Sequence, residues 1–376
     1  MVFMAQVWTI EKVLAWTTES FTRLGLDSPK LDAELLLAYV LGVKRMTLYV
    51  DGCRPLEQAE LERYRSCILR RQRHEPIAYI TENKEFWSLS FHVTPAVLIP
   101  RPDTECLVER VLEFIEARKR GKKPAWMQTK RIEYSNEIID EKRAYYEAVS
   151  AFEEAREMDS DETKCPDNGD NDNGDNVEEQ KSVGADLECK DSQPSLSDST
   201  ETHPWRIADV GTGSGAIALA LASEIPAAER FIDGIDISED AVKIARFNAQ
   251  SLHLEENVSI EQGDLLSGNS KKYDIIVSNP PYIANGEMQT LMQEVKYEPT
   301  LALEAGEDGL DVYRKLVLQA KEHLNDNGLL IVEIGSTQAE AVMVLFRQAH
   351  WNSVCMMRDY AGLPRIVAGI WQNTSK

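Results

Sequence analysis

From Trp205 to its C-terminal end the chain alternates short apolar runs with longer helical stretches, and no other feature of the 376 residues restricts the fold as much. "RIADVG", "RFIDGIDIS", "VSIEQGD", "YDIIVSNPPY" and "GLLIVEIG" read as strands, and "GAIALALASEI", "EDAVKIARFNAQSL" and "YRKLVLQAKEHL" read as helices. Alternation of this kind builds an α/β doubly wound, mostly parallel sheet. After the helix "QAEAVMVLFRQA", the segments "SVCMMRDY" and "RIVAGIWQ" predict a final strand hairpin. Ligands of such sheets bind beyond the C-terminal ends of the strands, so the residues ending each strand carry the functional information.

Upstream, residues 1–75 read as a small helical domain. "LDAELLLAYVLGV" is apolar at helical spacing with Gly42 as terminator, and Pro55 stands near the start of "PLEQAELERYRSCILRRQR". Residues 76–116 read as a linker hairpin, in which Phe86, Leu89, Phe91 and Val93 roughly alternate, followed by a helix that Asp103 or Thr104 is placed to cap. Residues 117–204 break the pattern and read as an acidic insertion. "EYSNEIIDEKRAYYEAVSAFEEAREMD" suits an exposed helix, whereas from Ser160 onward the chain is too polar to repay its ordering entropy and reads as disordered. Its run "DNGDNDNGDN" lacks the spacing and terminal Glu of a calcium loop, so no metal is expected there. Residues 205–376 form the sheet domain.

Charge and cysteine usage limit the partners. Net charge is −22, yet residues 1–116 hold 14 Lys and Arg against 17 Asp and Glu, so most of the acidic excess lies downstream. No segment offers a broadly basic face for phosphate backbones, although "RRQRH" (Arg70 to His74) is a local cluster. Stable nucleic-acid binding is therefore not expected. Six cysteines without a C-x-x-C pair, and only six His, argue against zinc and for reduced thiols in a cytoplasmic protein. No apolar run approaches a membrane span, and the N-terminus, with Glu11 and Glu19 and no basic start, reads as a first helix instead of a targeting signal.

Three strand ends carry the chemistry. The first runs into "DVGTGSGA", where Gly211, Thr212, Gly213, Ser214 and Gly215 let a ligand approach the backbone and the next helix offers free N–H groups. The absence of a following Lys-Ser/Thr rules out a P-loop, but the loose G-x-G-x-x-A pattern also suits a dehydrogenase. Asp236 ends the second strand, 21 residues beyond Gly215, where an acid would accept both ribose hydroxyls of an adenosine; capping the next helix is its alternative role. Asp264 ends the third, with Leu265 beside it, suiting either adenine recognition or a plain turn.

The fourth strand ends in Asn279, Pro280, Pro281 and Tyr282. Taken alone this is a stiff turn. At the same edge as the glycine loop and Asp236 it becomes a clamp that a hydride-transfer enzyme does not need. The lone pair of a planar amide or amine nitrogen is delocalised. Two fixed acceptors, the Asn279 side-chain oxygen and the Pro280 carbonyl, can bind its N–H groups and aim it at a methyl donor, with Tyr282 packed on the plane.

These residues, with "EPIAYI", "FHVTPAVLIPRPDTECLVERVL", "EVKYEPTLALEAGEDGLDVYRKL" and "RDYAGLPRIVAGIW", resemble the HemK/PrmC family of protein-glutamine methyltransferases over nearly everything except 117–204. The resemblance implies a Rossmann-like class I S-adenosylmethionine-dependent domain behind a helical substrate-recognition domain. It implies peptide chain release factors as substrate, methylated on the Gln of a Gly-Gly-Gln loop. Gly211 to Gly215, Asp236, Asp264, Leu265 and Asn279 would hold the cofactor, and Asn279, Pro280, Pro281 and Tyr282 the glutamine, with Asn279, Pro280 and Tyr282 catalytic. Two departures stand out. The family usually has Gly where this chain reads Thr81-Glu82, which resembles sister enzymes acting on a ribosomal-protein glutamine, whereas "IPRPDTE" favours the release-factor branch. The other is the acidic insertion, which the slow growth of loop-closure cost allows. Two rival readings are an adenine-amino methyltransferase using the same clamp on a flipped base and a non-catalytic scaffold.

Overall fold

The computed structural model describes residues 7–127 and 203–372. Four helices come first: α1 (Ile10–Arg23), α2 (Pro29–Leu41), α3 (Arg45–Val50) and α4 (Gln58–Arg71). Thr9 caps α1 by accepting Lys12 N–H, Pro29 opens α2, and Gly42 ends it in the left-handed region at φ +66°. Glu57 and Glu60 close a reciprocal capping box on α4, so Pro55 lies before the helix and not within it. Ile10, Val13, Phe21, Leu36, Leu37, Tyr64 and Ile68 fill the core of this bundle. Burying a side chain of this size stabilises by roughly 1.5–3 kcal/mol, which lets a small bundle hold its own centre.

A short helix α5 (Ile77–Thr81) leads into the hairpin β1 (Asn83–Phe86) and β2 (Leu89–His92). Glu82 occupies the left-handed region at φ +54°, where a residue without a Cβ carries no penalty. A Gly, which the family resemblance implies in this stretch, would meet a backbone demand of the hairpin entry. A 3-10 turn (Pro102–Thr104) then opens α6 (Glu105–Lys119). Neither Asp103 nor Thr104 caps it: no side-chain cap bond is present at either residue. Order also extends past residue 116, because α6 continues to Lys119 and Trp126 is only 8% exposed within the main core. The rest of the expected insertion, including the helix over 133–159 and the Asp/Asn run, lies outside the described residues.

The sheet domain continues with β3 (Trp205–Val210), α7 (Ala216–Glu224), β4 (Arg230–Asp236), α8 (Glu239–Ser251), β5 (Val258–Gln262), β6 (Tyr273–Ser278), α9 (Asp311–His323), β7 (Leu324–Glu333), α10 (Ala339–Gln348), β8 (Asn352–Arg358) and β9 (Pro364–Ile370). Strand order is β5-β4-β3-β6-β7-β9-β8, parallel except for the antiparallel pairs β7–β9 and β9–β8. The doubly wound sheet and its closing hairpin are thus as the sequence predicts. Central strands read as continuous apolar runs because both faces are covered: Ile275 to Val277 and Leu329 to Val332 are fully buried. Helix α7 is apolar on every side, since Ala216 to Ala222 are all buried. Gly215 before it sits at φ +83°, and a Cβ there would lie 3.2–3.3 Å from Leu219 and from Ala245 of α8. Among the described residues no helix is long and apolar enough to cross a membrane.

Candidate active site

Order reverses between β3 and β6, and the predicted residues converge at their C-terminal ends. Ser278 and Val210 are register partners, and the Ser278 hydroxyl donates to the Val210 carbonyl at 2.6 Å, which locks the two strand ends together. The glycine loop therefore begins beside the Asn-Pro-Pro-Tyr segment. A Cβ at Gly211 would come within 3.9 Å of the Asn279 carbonyl.

The loop folds over the end of β4, with Gly211 and Thr212 N–H both donating to the Ile235 carbonyl at 2.8 and 3.0 Å. Gly213 N–H donates to Asp236 Oδ2 at 2.8 Å, and Ser238 N–H donates to Asp236 Oδ1 at 2.9 Å. Burial holds the Asp236 carboxyl above its usual range despite those two bonds. Ser238, not Asp236, caps α8, accepting Ala241 N–H. The open positions are Gly211 and Gly213; Thr212 and Ser214 are buried, so any contact they make with a ligand runs through their backbones. Gly263 N–H donates to the Asp236 carbonyl at 2.9 Å and brings the turn holding Asp264 and Leu265 to the same edge. Asp264 itself is exposed, and the side chain of Ile237, next to Asp236 in the chain, is half exposed.

Asn279 Nδ2 donates to the Thr104 hydroxyl at 3.1 Å. Pro280 is buried, and burial raises the Tyr282 phenol, with Glu333 adding to the shift. The clamp is tied down by its own chain: Ile283 N–H donates to the Leu303 carbonyl, and Ala305 N–H to the Ile283 carbonyl, both at 2.9 Å. Gln338 accepts Gly335 N–H through Oε1 and donates through Nε2 to the carbonyls of Tyr282 and Gly309. Gly309 sits at φ +74°, and a Cβ there would lie 2.5 Å from the Tyr282 carbonyl oxygen.

Sequence reading missed four residues of this site. Asn248 is buried on α8; it donates to the His92 and Ser214 carbonyls and accepts His92 N–H, binding the hairpin to the glycine loop. Thr104 and Glu333 stand behind Asn279. Asp209, fully buried within β3, accepts the Thr212 hydroxyl at 2.7 Å and Ala218 N–H at 3.0 Å, both through Oδ2, and so holds the loop against the start of α7. An aspartate next to "VGTGSG" was the available signal, but its direction into the core is not a sequence property.

Burial pushes the Asp209 carboxyl up to about 7, against the pull of its two hydrogen bonds. Between about pH 4 and pH 7 the folded chain keeps a proton that the unfolded chain releases, so this group's contribution to stability falls as pH rises across that window. Oδ1 has no partner. Asp209→Asn supplies the one acceptor that is used, without the charge. Its Tm is expected to match the wild type near pH 4 and to exceed it increasingly towards pH 8; parallel melting curves across that range would contradict the assignment.

Two arginines of the "RRQRH" cluster are engaged within the chain. Arg70 pairs with Glu75, and Arg71, 4% exposed, pairs with Asp32 and with Glu294 of the loop after the clamp.

A sheet in this order, with a glycine loop, an acid and Asn-Pro-Pro-Tyr at one edge, defines a class I S-adenosylmethionine-dependent methyltransferase. Residues 12–81 match the PrmC N-terminal domain, and residues 195–306 the methyltransferase small domain. Release factor glutamine methyltransferase of Geobacter sulfurreducens is 32% identical over 97% of both chains, and the enzyme of that name from Clostridium acetobutylicum is 33% identical over 90% of each. The one from Salmonella typhimurium is 33% identical over 94% of this chain and 97% of its own. The chain belongs to the release factor glutamine methyltransferase family.

Proposed function

We propose that this protein methylates the side-chain amide nitrogen of the glutamine in the Gly-Gly-Gln loop of peptide chain release factors. One observation carries the choice of a planar amide: Asn279 commits its Nδ2 to Thr104, which leaves Oδ1 as the acceptor, one residue before Pro280. S-adenosylmethionine supplies the methyl group as an electrophilic carbon on a sulfonium sulfur.

The residues present fit that cofactor. Gly211 and Gly213 leave the loop backbone open, and a Cβ on Gly213 would meet nothing within 4 Å. Each Asp236 oxygen accepts one backbone N–H and keeps lone-pair capacity for a ribose hydroxyl. Ile237 and Leu265 offer apolar surface to an adenine ring, and Asp264 an acceptor for its amino group.

Asn279 Oδ1 and the Pro280 carbonyl accept the two amide protons, which fixes the nitrogen lone pair in direction and excludes the tilted orientations in which it cannot react. Pro281 keeps the clamp backbone extended, and Tyr282 covers the amide plane. The surplus proton leaves to water after the N–C bond forms, so no dedicated base is required. In the helical domain a groove of about 850 Å³, with Leu14, Leu48, Tyr49 and Val50 among its lining residues, gives a folded protein partner a surface to grip. With Arg70 and Arg71 engaged in ion pairs and a net charge of −22, a protein partner suits the chain better than nucleic acid.

The test is a labelled-methyl transfer assay presenting release factors, ribosomal proteins and single- or double-stranded DNA side by side. Label on the release-factor glutamine is expected. Label on a ribosomal protein or on adenine would replace this reading.

A further inference from the structure

We propose that Thr104 and Glu333 form a relay that fixes the orientation of the Asn279 amide, so that its oxygen and not its NH2 faces the substrate. The inference rests on the methyl-transfer reading of Asn279 and deepens it.

An Asn side chain can turn over by 180° at little cost in shape, and only one of its two faces accepts a hydrogen bond. A substrate N–H meeting the NH2 face would find a donor and be repelled. Something in the protein must therefore choose the face.

Thr104 makes that choice if its own proton points away from Asn279. It is buried, yet it does not serve the helix it precedes, because it makes no cap bond. Its Oγ1 accepts Asn279 Nδ2 at 3.1 Å. A hydroxyl has one proton, and Glu333 is placed to take it. Glu333 ends β7 one residue beyond Val332, the register partner of Ser278, so it stands beside Asn279; it is 1% exposed and its Oε2 has no partner. A buried carboxylate short of donors is a strong acceptor. Burial raises the carboxyl to about 7, and the neighbouring Thr104 hydroxyl acts the other way by favouring the charged form.

The charged and titratable groups around Glu333 come from every neighbouring element. Arg101 and Asp103 lie before α6, Arg365 is on β9, Tyr282 is in the clamp, and Tyr313 of α9 donates to the Glu333 carbonyl. Arg365 is itself paired with Asp103 and Asp359, which leaves Thr104 as the neutral donor to the carboxylate. While Glu333 is ionised it can only accept. Thr104 must then donate to it and accept from Asn279, and the amide oxygen is left facing the site. Protonated Glu333 can donate to Thr104 instead, which frees the Thr104 proton for Asn279 Oδ1 and allows the amide to turn over.

Two readouts test the relay on the full chain. The first needs no turnover. With selective nitrogen-15 asparagine labelling, and Asn279→Ala to assign the signal, the Asn279 side-chain NH2 is expected to show a nuclear Overhauser contact to Thr104 above pH 7, lost as Glu333 protonates. Absence of that contact above pH 7 overturns the relay even if the protein methylates release factors. Its presence in a protein inert towards them upholds the relay and sinks the functional reading.

The second readout is kinetic. Outer-shell partners that orient reactive groups typically contribute about 10–100-fold. Thr104→Val is expected to lower kcat by about that factor with cofactor Kd and Tm nearly unchanged, and Thr104→Ser to restore most of it. Glu333→Gln, whose amide can donate or accept, is expected to flatten the fall of kcat that the wild type shows below about pH 7. Equal losses in the Val and Ser variants, or a loss shared by cofactor Kd, would make the pair a packing element and overturn the relay.

Discussion

Asn279→Ala is expected to lower kcat for transfer to a release-factor glutamine by about 10³-fold, the scale seen when one preorganised polar group aimed at a reacting centre is deleted. On the free-energy scale that is about 4 kcal/mol of transition-state stabilisation. An amide nitrogen has almost no nucleophilicity when it is free to tumble, so catalysis here consists of holding it, and one of its two acceptors disappears with the Asn279 side chain. The fold does not depend on that side chain. It is half-buried, its one side-chain bond is to Thr104, and the loop around it is secured by Ser278, Gln338 and the backbone pairing of Ile283. Tm should therefore shift little. Steady-state transfer rates beside a melting curve check both halves; activity within tenfold of wild type would remove Asn279 from the reacting centre.

The second large effect is on stability. Arg71→Ala removes the shared partner of two carboxylates, at 2.7 Å from Asp32 and 2.5 Å from Glu294. Asp32 is buried, and burial raises its carboxyl even with the guanidinium present. Deleting one member of a buried pair leaves the other uncompensated and costs about 3–5 kcal/mol, which corresponds to a fall in Tm on the order of 10 °C. Because Glu294 belongs to the loop that follows the clamp, the same change should raise KM for the protein substrate more than it alters cofactor affinity. Removing both charges, as in Arg71→Met with Asp32→Leu, should recover most of the stability but not the KM. Calorimetry on the single and double variants decides it; a single variant as stable as wild type would show that the pair contributes nothing net.

Periodicity carried the fold because it is local. The strands from "RIADVG" to "GLLIVEIG", the helices between them and the closing hairpin were all legible, as was the Gly42 terminator. So was the placement of the glycine loop, Asp236 and Asn279 at one edge, since in sheets of this class the strand ends meet there. Apart from Asp209, whose partners are local, the misses share a cause. Asn279 meets Thr104 across 175 residues, Arg71 meets Glu294 across 223, and Asn248 meets His92 across 156. Thr104 is instructive: its residue type and position fit a helix cap, so the local rule claimed it, while its hydroxyl is directed to a partner that only the folded sheet supplies. Thr81-Glu82 reads differently once its backbone is known, because Glu82 stands in the left-handed region at the hairpin entry. Thr212 and Ser214 were counted with the glycines because they share the loop, yet their side chains turn inward.

The single amide of Gln338 reaches Tyr282, 56 residues away, and Gly309, 29 residues away, while its oxygen holds Gly335. Both ends of the connection from β6 to α9 and the loop leaving β7 are thereby joined through one side chain, and none can fray without releasing the others. The clamp is therefore a single cooperative opening unit, and amide protons across it should become exchangeable together.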